Sequence, residues 1–295
     1  MSERKTDLAL EVRESFPRNN VEIQGVVLEK HYEETAKAHI TTVQIQDDRG
    51  SRAMGKPKGC YVTIESEDMP KEEEDKEELL LCICSELEKM VHDLRQKSVL
   101  IAGLGNRQVT SDSLGPRMAE CIFVTRHLGR ELGSWFMEEN EYGEVSAIAP
   151  GVMAQTGMEA VEILQGIVKK TSPDLVIVVD ALAARSMSRL CTTIQITDTG
   201  ISPGSGIGNH RKALSKESLG VPVVAVGVPT VVDARTIISD HVEKVLSKQG
   251  YSEDEIEKVI KEVFHEEMEN LYVTPKNIDE SVNVIAKDLA KVFNH

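Results

Sequence analysis

Two aspartates, each just past a short apolar run, are the residues of this chain best placed to do chemistry. Asp112 lies in Val109-Thr110-Ser111-Asp112-Ser113-Leu114-Gly115-Pro116, after the run Val99-Leu100-Ile101-Ala102 and the turn Gly103-Leu104-Gly105-Asn106. Asp180 ends Leu175-Val176-Ile177-Val178-Val179-Asp180 and precedes Ala181-Leu182-Ala183-Ala184-Arg185-Ser186. Both runs are short, β-branched and bounded by turn residues, as buried parallel strands are. Open α/β sheets bind ligands beyond the carboxyl ends of their strands. Two carboxylates meeting there form an acid and a base, because close like charges push their pKa values apart. Plainer roles exist beside this one. Asp112 or Ser113 could cap a helix with Pro116 in its first turn, and Asp180 could accept backbone N–H groups at a strand end.

Other groupings are weaker. Gly103-Leu104-Gly105-Asn106 has Gln108 where a dinucleotide fingerprint needs its third glycine, so it reads as a tight turn that lets backbone approach the site. There is no Walker A sequence. Gly200-Ile201-Ser202-Pro203-Gly204 matches a nucleophile elbow in its letters only. Pro203 removes the N–H that an oxyanion hole would need, and no amphipathic helix starts there. No HExxH occurs among the eight histidines, and His210 is the one to consider as a metal ligand. It sits in the loop 198–212, whose four glycines and one proline mark a site loop.

The elements that must position these residues follow from periodicity. Strands are predicted at 98–103, about 144–149, 174–180, 191–197 and 221–227, and helices at 113–129, 156–171, 231–248, 253–270 and 277–292. This alternation predicts an α/β fold with a mainly parallel sheet flanked by helices. Upstream, 21–28, 39–45 and 61–64 alternate as antiparallel strands do, predicting a small N-terminal β layer over 21–65 with a turn at Asp47-Asp48-Arg49-Gly50. Within 70–97 an acidic stretch precedes a helical apolar stripe. Residues 1–20 are polar and read as a mobile arm, ahead of a single α/β domain over 21–295 whose core is 98–295.

Composition narrows the function classes. With 40% hydrophobic and only 4% aromatic residues among 295, the core must be aliphatic. A net charge of −15 argues against nucleic-acid binding and against docking on anionic lipid, both of which need a basic surface. The five scattered cysteines include no CxxC, which points to a reducing compartment and away from structural zinc. The first residues carry no apolar h-region and no apolar run is long enough to span a bilayer, so a cytoplasmic protein without a signal peptide is expected. No cofactor is expected.

Several blocks taken together resemble the germination proteases, or spore proteases, of spore-forming bacteria. They are Gly103–Asn106, Val109–Pro116, Ala149-Pro150-Gly151-Val152-Met153, Val179–Ser186, Pro203-Gly204-Ser205-Gly206, Gly227-Val228-Pro229-Thr230-Val231-Val232-Asp233-Ala234 and Val273-Thr274-Pro275-Lys276. They run in one order over nearly the whole chain. The connection around Gly250-Tyr251-Ser252 is short where some relatives carry a long charged insertion.

The resemblance implies a fold like that of hydrogenase-maturation proteases. It also implies an endopeptidase that degrades small acid-soluble spore proteins in the spore core during germination. Such enzymes are homotetramers made as zymogens that remove their own N-terminal propeptide, and their two catalytic aspartates fall on Asp112 and Asp180. The family prefers an acidic residue before the cut, an apolar residue after it and alanine next. Thr6-Asp7-Leu8-Ala9-Leu10-Glu11 supplies that order, so cleavage is expected between Asp7 and Leu8. A second candidate cut, between Glu11 and Val12, has Arg13 in place of alanine.

The expected mechanism is an aspartate pair that activates water, with loop N–H groups from 103–106 or 204–208 binding the oxyanion. Arg185 is a candidate for receiving the acidic residue before the cut; packing or an ion pair is an equal reading. Rival readings are a metal-dependent peptidase with the same aspartates as ligands and His210 as the only loop candidate for a third, a non-enzymatic module that holds basic proteins, and a nucleotide-binding regulator resting on the glycine turns alone.

Overall fold

Strand alternation divides the core into two layers on either side of one sheet. In the computed structural model, which describes residues 6–16, 23–72, 76–204, 212–263 and 271–295, the strands are β1 (Val26–Glu33), β2 (Ala38–Ile45), β3 (Gly59–Glu65), β4 (Val99–Gly103), β5 (Val145–Ile148), β6 (Leu175–Ala184), β7 (Thr193–Thr197), β8 (Val223–Asp233) and β9 (Tyr272–Val273). They join in one sheet of order β1-β2-β3-β7-β8-β6-β4-β5, with β9 beside the end of β8.

The helices are α1 (Ala9–Glu14), α2 (Asp48–Met54), α3 (Glu77–Met90), α4 (Leu114–Glu120), α5 (Arg126–Leu132), α6 (Ser134–Glu139), α7 (Met153–Thr156), α8 (Ala160–Thr171), α9 (Lys216–Leu219), α10 (Ala234–Lys248), α11 (Glu253–Val263) and α12 (Ile278–Asn294). Val99, Ile101, Ile177, Val179, Val224 and Val226 pack with Ile83 of α3, Met118 of α4 and Leu289 of α12. The intervening residues Leu100, Ala102, Val176, Val178 and Ala225 pack with Val161 and Leu164 of α8 and Leu219 of α9 on the opposite face. Burial on both faces is why these strands read as continuous apolar runs.

The four strands β8-β6-β4-β5 are parallel, as the alternation predicts. Two expectations change. The N-terminal strands are not a layer of their own; β1, β2 and β3 continue the main sheet through β7. The strand predicted at 191–197 runs antiparallel to both β3 and β8. Residues 185–192, which link β6 to β7, are fewer than the dozen or so that a parallel crossover takes.

Local chemistry explains three further departures. The expected turn at Asp47–Gly50 opens α2, because the Asp47 carboxylate caps the N–H groups of Arg49 and Gly50, each at 2.9 Å. The helix expected over 113–129 stops at Glu120. Ile122, Phe123, Val124 and Thr125 are poor helix formers, and Asn294 at the end of α12 binds the Cys121 carbonyl and the Phe123 N–H. The third departure is the N-terminal arm. Residues 6–16 of it are ordered against the sheet, with Leu8 and Ala9 fully buried. Leu8 packs with Leu182, Ala184, Leu190 and Val232, and Ala9 with Val43, Ile45, Met54 and Tyr61. Burying a leucine side chain contributes about 2 kcal/mol, which the polar look of the arm conceals.

Candidate active site

Asp180 lies within β6, opposite Gly227 of β8, and is only 4% exposed; the strand expected to end there runs on to Ala184, whose pairing with β8 continues past Asp180. Asp112 ends a single 3-10 turn, Thr110–Asp112, between β4 and α4. Its carboxylate accepts the Asn106 N–H at 2.8 Å, so it ties back to the turn after β4; Ser113, at the N-cap of α4, makes no side-chain cap bond. Asn106 is held in turn, its side-chain oxygen accepting the Gln108 N–H and the Gln155 amide. The Thr230 hydroxyl donates to the Ser111 carbonyl at 2.7 Å and fastens the Asp112 turn to β8.

Glycines allow these loops to close. A Cβ on Gly105, at φ +111°, would meet the Asp112 carbonyl oxygen at 2.1 Å. One on Gly115 would meet backbone atoms of Leu104 and Val179 at 2.4–2.5 Å. The chain thus brings the Asp112 turn against the ends of β4 and β6 at backbone contact distance.

Asp112 and Asp180 line one cleft of about 230 Å³, with Gly105, Pro203, Gly204 and Thr230 among its other walls. The end of the glycine-rich loop that is described therefore borders the aspartates; His210 lies outside the described residues. Among the described residues, no group of three or more His, Cys, Asp or Glu is arranged to hold a metal ion. Two of the N–H groups expected to serve an oxyanion have other partners: Leu104 donates to Val179 at 2.8 Å and Asn106 to Asp112.

The third carboxylate lining the cleft is Asp7. Its N–H donates to the Ala183 carbonyl and its side chain accepts the Ala183 N–H, both at 2.9 Å, so the segment before α1 lies along β6. Leu8 is extended, with φ −80° and ψ 123°. The alternative cut at Glu11–Val12 falls inside α1. The Glu11 carboxylate is buried and accepts the N–H groups of Arg185 at 2.6 Å and Ser186 at 2.9 Å. Arg189 adds ion pairs to Glu11, Glu14 and Glu65; burial works against its charge, and the bonds to Glu14 and Glu65 hold its guanidinium above the usual arginine range. The Arg185 guanidinium does not reach the acid before the expected cut; it grips Asp240 through two bonds of 2.8 and 2.9 Å. Gln195, Lys56 and Arg189 also contact this segment and carry no local sequence signal for it, because each lies far from it along the chain.

Residues 4–254 match the sequence model of a family described as Germination protease. A germination protease of Caldanaerobacter subterraneus is 46% identical, covering 98% of this chain and 93% of the relative. One from Clostridium acetobutylicum is 41% identical over 100% of this chain and 95% of its own, and one from Bacillus mycoides is 38% identical over 99% and 94%. Among solved structures, a nickel–iron hydrogenase maturation protease from Thermococcus kodakarensis aligns over 71% of this chain and 99% of its own at 18% identity, with a TM-score of 0.37.

Proposed function

The chain belongs to the germination protease family, and from that premise we propose that it is a self-processing endopeptidase in which Asp112 and Asp180 activate the attacking water. One observation carries the reading: both aspartates line the cleft that also receives Asp7, the residue before the expected cut. The ionised carboxylate takes a proton from water as its oxygen attacks the Asp7 carbonyl carbon. The protonated partner gives its proton to the Leu8 nitrogen as the C–N bond breaks, leaving a carboxylate at Asp7 and an amine at Leu8.

The unprocessed chain keeps its own segment in the groove where a substrate would lie, which is the form a zymogen requires. Small acid-soluble spore proteins are the proposed substrates, a homotetramer the proposed assembly and the spore core the proposed compartment. These three extend the family resemblance. No helix among the described residues is long and apolar enough to cross a membrane.

The test is intact mass against time for the purified chain at mildly acidic pH, beside Asp112→Asn and Asp180→Asn. Loss of residues 1–7 in the parent alone is expected. Equal cleavage in both variants would remove the dyad from the mechanism. Binding of spore proteins with no cleavage in any sample would favour a binding module, and activity abolished by chelator and restored by one metal would favour the metal-dependent route.

A further inference from the structure

Two side chains outside the dyad meet on the carbonyl of the expected cut. Lys56 Nζ donates to the Asp7 carbonyl oxygen at 2.9 Å, and Gln195 Nε2 donates to the same oxygen at 3.3 Å. The other end of the Gln195 amide accepts the Ala9 N–H at 2.7 Å. One side chain therefore spans the bond, from the residue before it to the second residue after it.

Lys56 is fixed for this contact. Its loop follows α2 through Gly55, at φ +60°, and is pinned on both sides. The Ser51 hydroxyl donates to the Lys56 carbonyl at 2.7 Å and the Tyr61 hydroxyl to the Pro57 carbonyl at 2.9 Å. Burial pulls the Lys56 pKa down, partly offset by the negative charge of Asp7 and Glu11. A preorganised cation aimed at a carbonyl oxygen is how enzymes bind the charge that develops during acyl transfer. The loop N–H groups of Leu104 and Asn106 have other partners, so they do not supply that function here.

We propose that Lys56 and Gln195 form the oxyanion site for hydrolysis at Asp7–Leu8, and that they receive the carbonyl of the acidic residue when a spore-protein segment occupies the same groove. This rests on the proposed cut site. As water adds, negative charge gathers on the Asp7 carbonyl oxygen and is met by the Lys56 ammonium and the Gln195 amide. Lys56 keeps its proton. When the C=O bond re-forms, the charge leaves that oxygen and the Leu8 nitrogen departs with the proton supplied by the dyad.

The experiment follows loss of residues 1–7 by intact mass in the full chain, in Lys56→Met and in Lys56→Arg, with amide hydrogen exchange over Leu8–Arg13 in each. Lys56→Met is expected to slow cleavage about 100-fold or more, the usual loss for one oxyanion donor. The exchange protection of Leu8–Arg13 should stay at the parent's level, and Lys56→Arg, which keeps a cation, should cleave faster than Lys56→Met. Cleavage of Lys56→Met within about threefold of the parent would overturn the oxyanion site alone. So would lost protection in Lys56→Met, or equal slow rates in both variants, since either would make Lys56 an anchor. A parent that never loses residues 1–7 would instead sink the cut site, and this proposal with it.

Discussion

The two halves of the sheet do different work. In the parallel half, β4, β6 and β8 are buried on both faces; β6 itself carries Asp180, and the loop after β4 holds Asp112 by backbone contact and a short hydrogen bond. In the antiparallel half, β1 is largely exposed, and the β3–β7 region supplies the long side chains that grip residues 7–11: Lys56 before β3, Gln195 on β7 and Arg189 ahead of it. A packed parallel core gives fixed geometry, suited to placing a reacting pair. Long side chains reaching from interior strands and the loops beside them give recognition of a docked segment.

The largest effect should come from the parallel half. Asp112→Asn or Asp180→Asn should slow self-processing roughly 1,000-fold or more with little change in melting temperature. Next is Gly115→Ala, whose Cβ would press on the backbone of Leu104 and Val179. A loss of about 2–4 kcal/mol is expected in chemical denaturation, against less than about 0.5 kcal/mol for Val27→Ser on exposed β1. Comparable losses in the two would erase the contrast between the halves.

A smaller effect is expected in the antiparallel half. Arg189→Met removes the partner of Glu11, Glu14 and Glu65, leaving the buried Glu11 carboxylate with its two backbone donors and the Thr6 hydroxyl. It should weaken docking of residues 7–14 by about 1–3 kcal/mol, read as faster amide exchange and easier limited proteolysis there while β6 keeps its protection. Exchange that quickens equally in β6 would mean the segment is part of the global fold.

The smallest effect concerns alkaline pH. Burial pushes the thiols of Cys60 and Cys191 up to about 11 and the Tyr61 phenol up to about 12. All three lie on β3 or just ahead of β7. The folded state holds these protons more tightly than the unfolded state does. Their contribution is therefore complete below the ordinary thiol value of 9.0 and is lost as pH rises through about 11–12. Denaturant melts should be flat near neutral pH in this respect and fall above about pH 9, less steeply in Cys191→Ala. An unchanged slope in that variant would remove its thiol from the account.

Much of the parallel half was legible because its signal is local. Strand runs such as Leu175–Asp180, bounded by turn residues, carry their own period and length, and carboxylates at their ends are chemically conspicuous. The antiparallel half was harder. The direction of β7 depends on which strands it pairs with, and the arm looked mobile because Leu8, Ala9 and Leu10 show no period until cavities elsewhere receive them.

By itself, the sequence determined the α/β class, a mainly parallel sheet, the positions of Asp112 and Asp180 just after one strand run and at the end of another, and the acidic–apolar–alanine order at Asp7-Leu8-Ala9. Only the tertiary structure decided that the two aspartates and Asp7 line one cleft, that β7 turns antiparallel, that Arg185 is engaged by Asp240, and that Lys56 and Gln195 reach the Asp7 carbonyl across 49 and 188 residues of chain. Strand period and turn chemistry act between near neighbours, whereas a contact between distant side chains exists only once packing has brought their elements together.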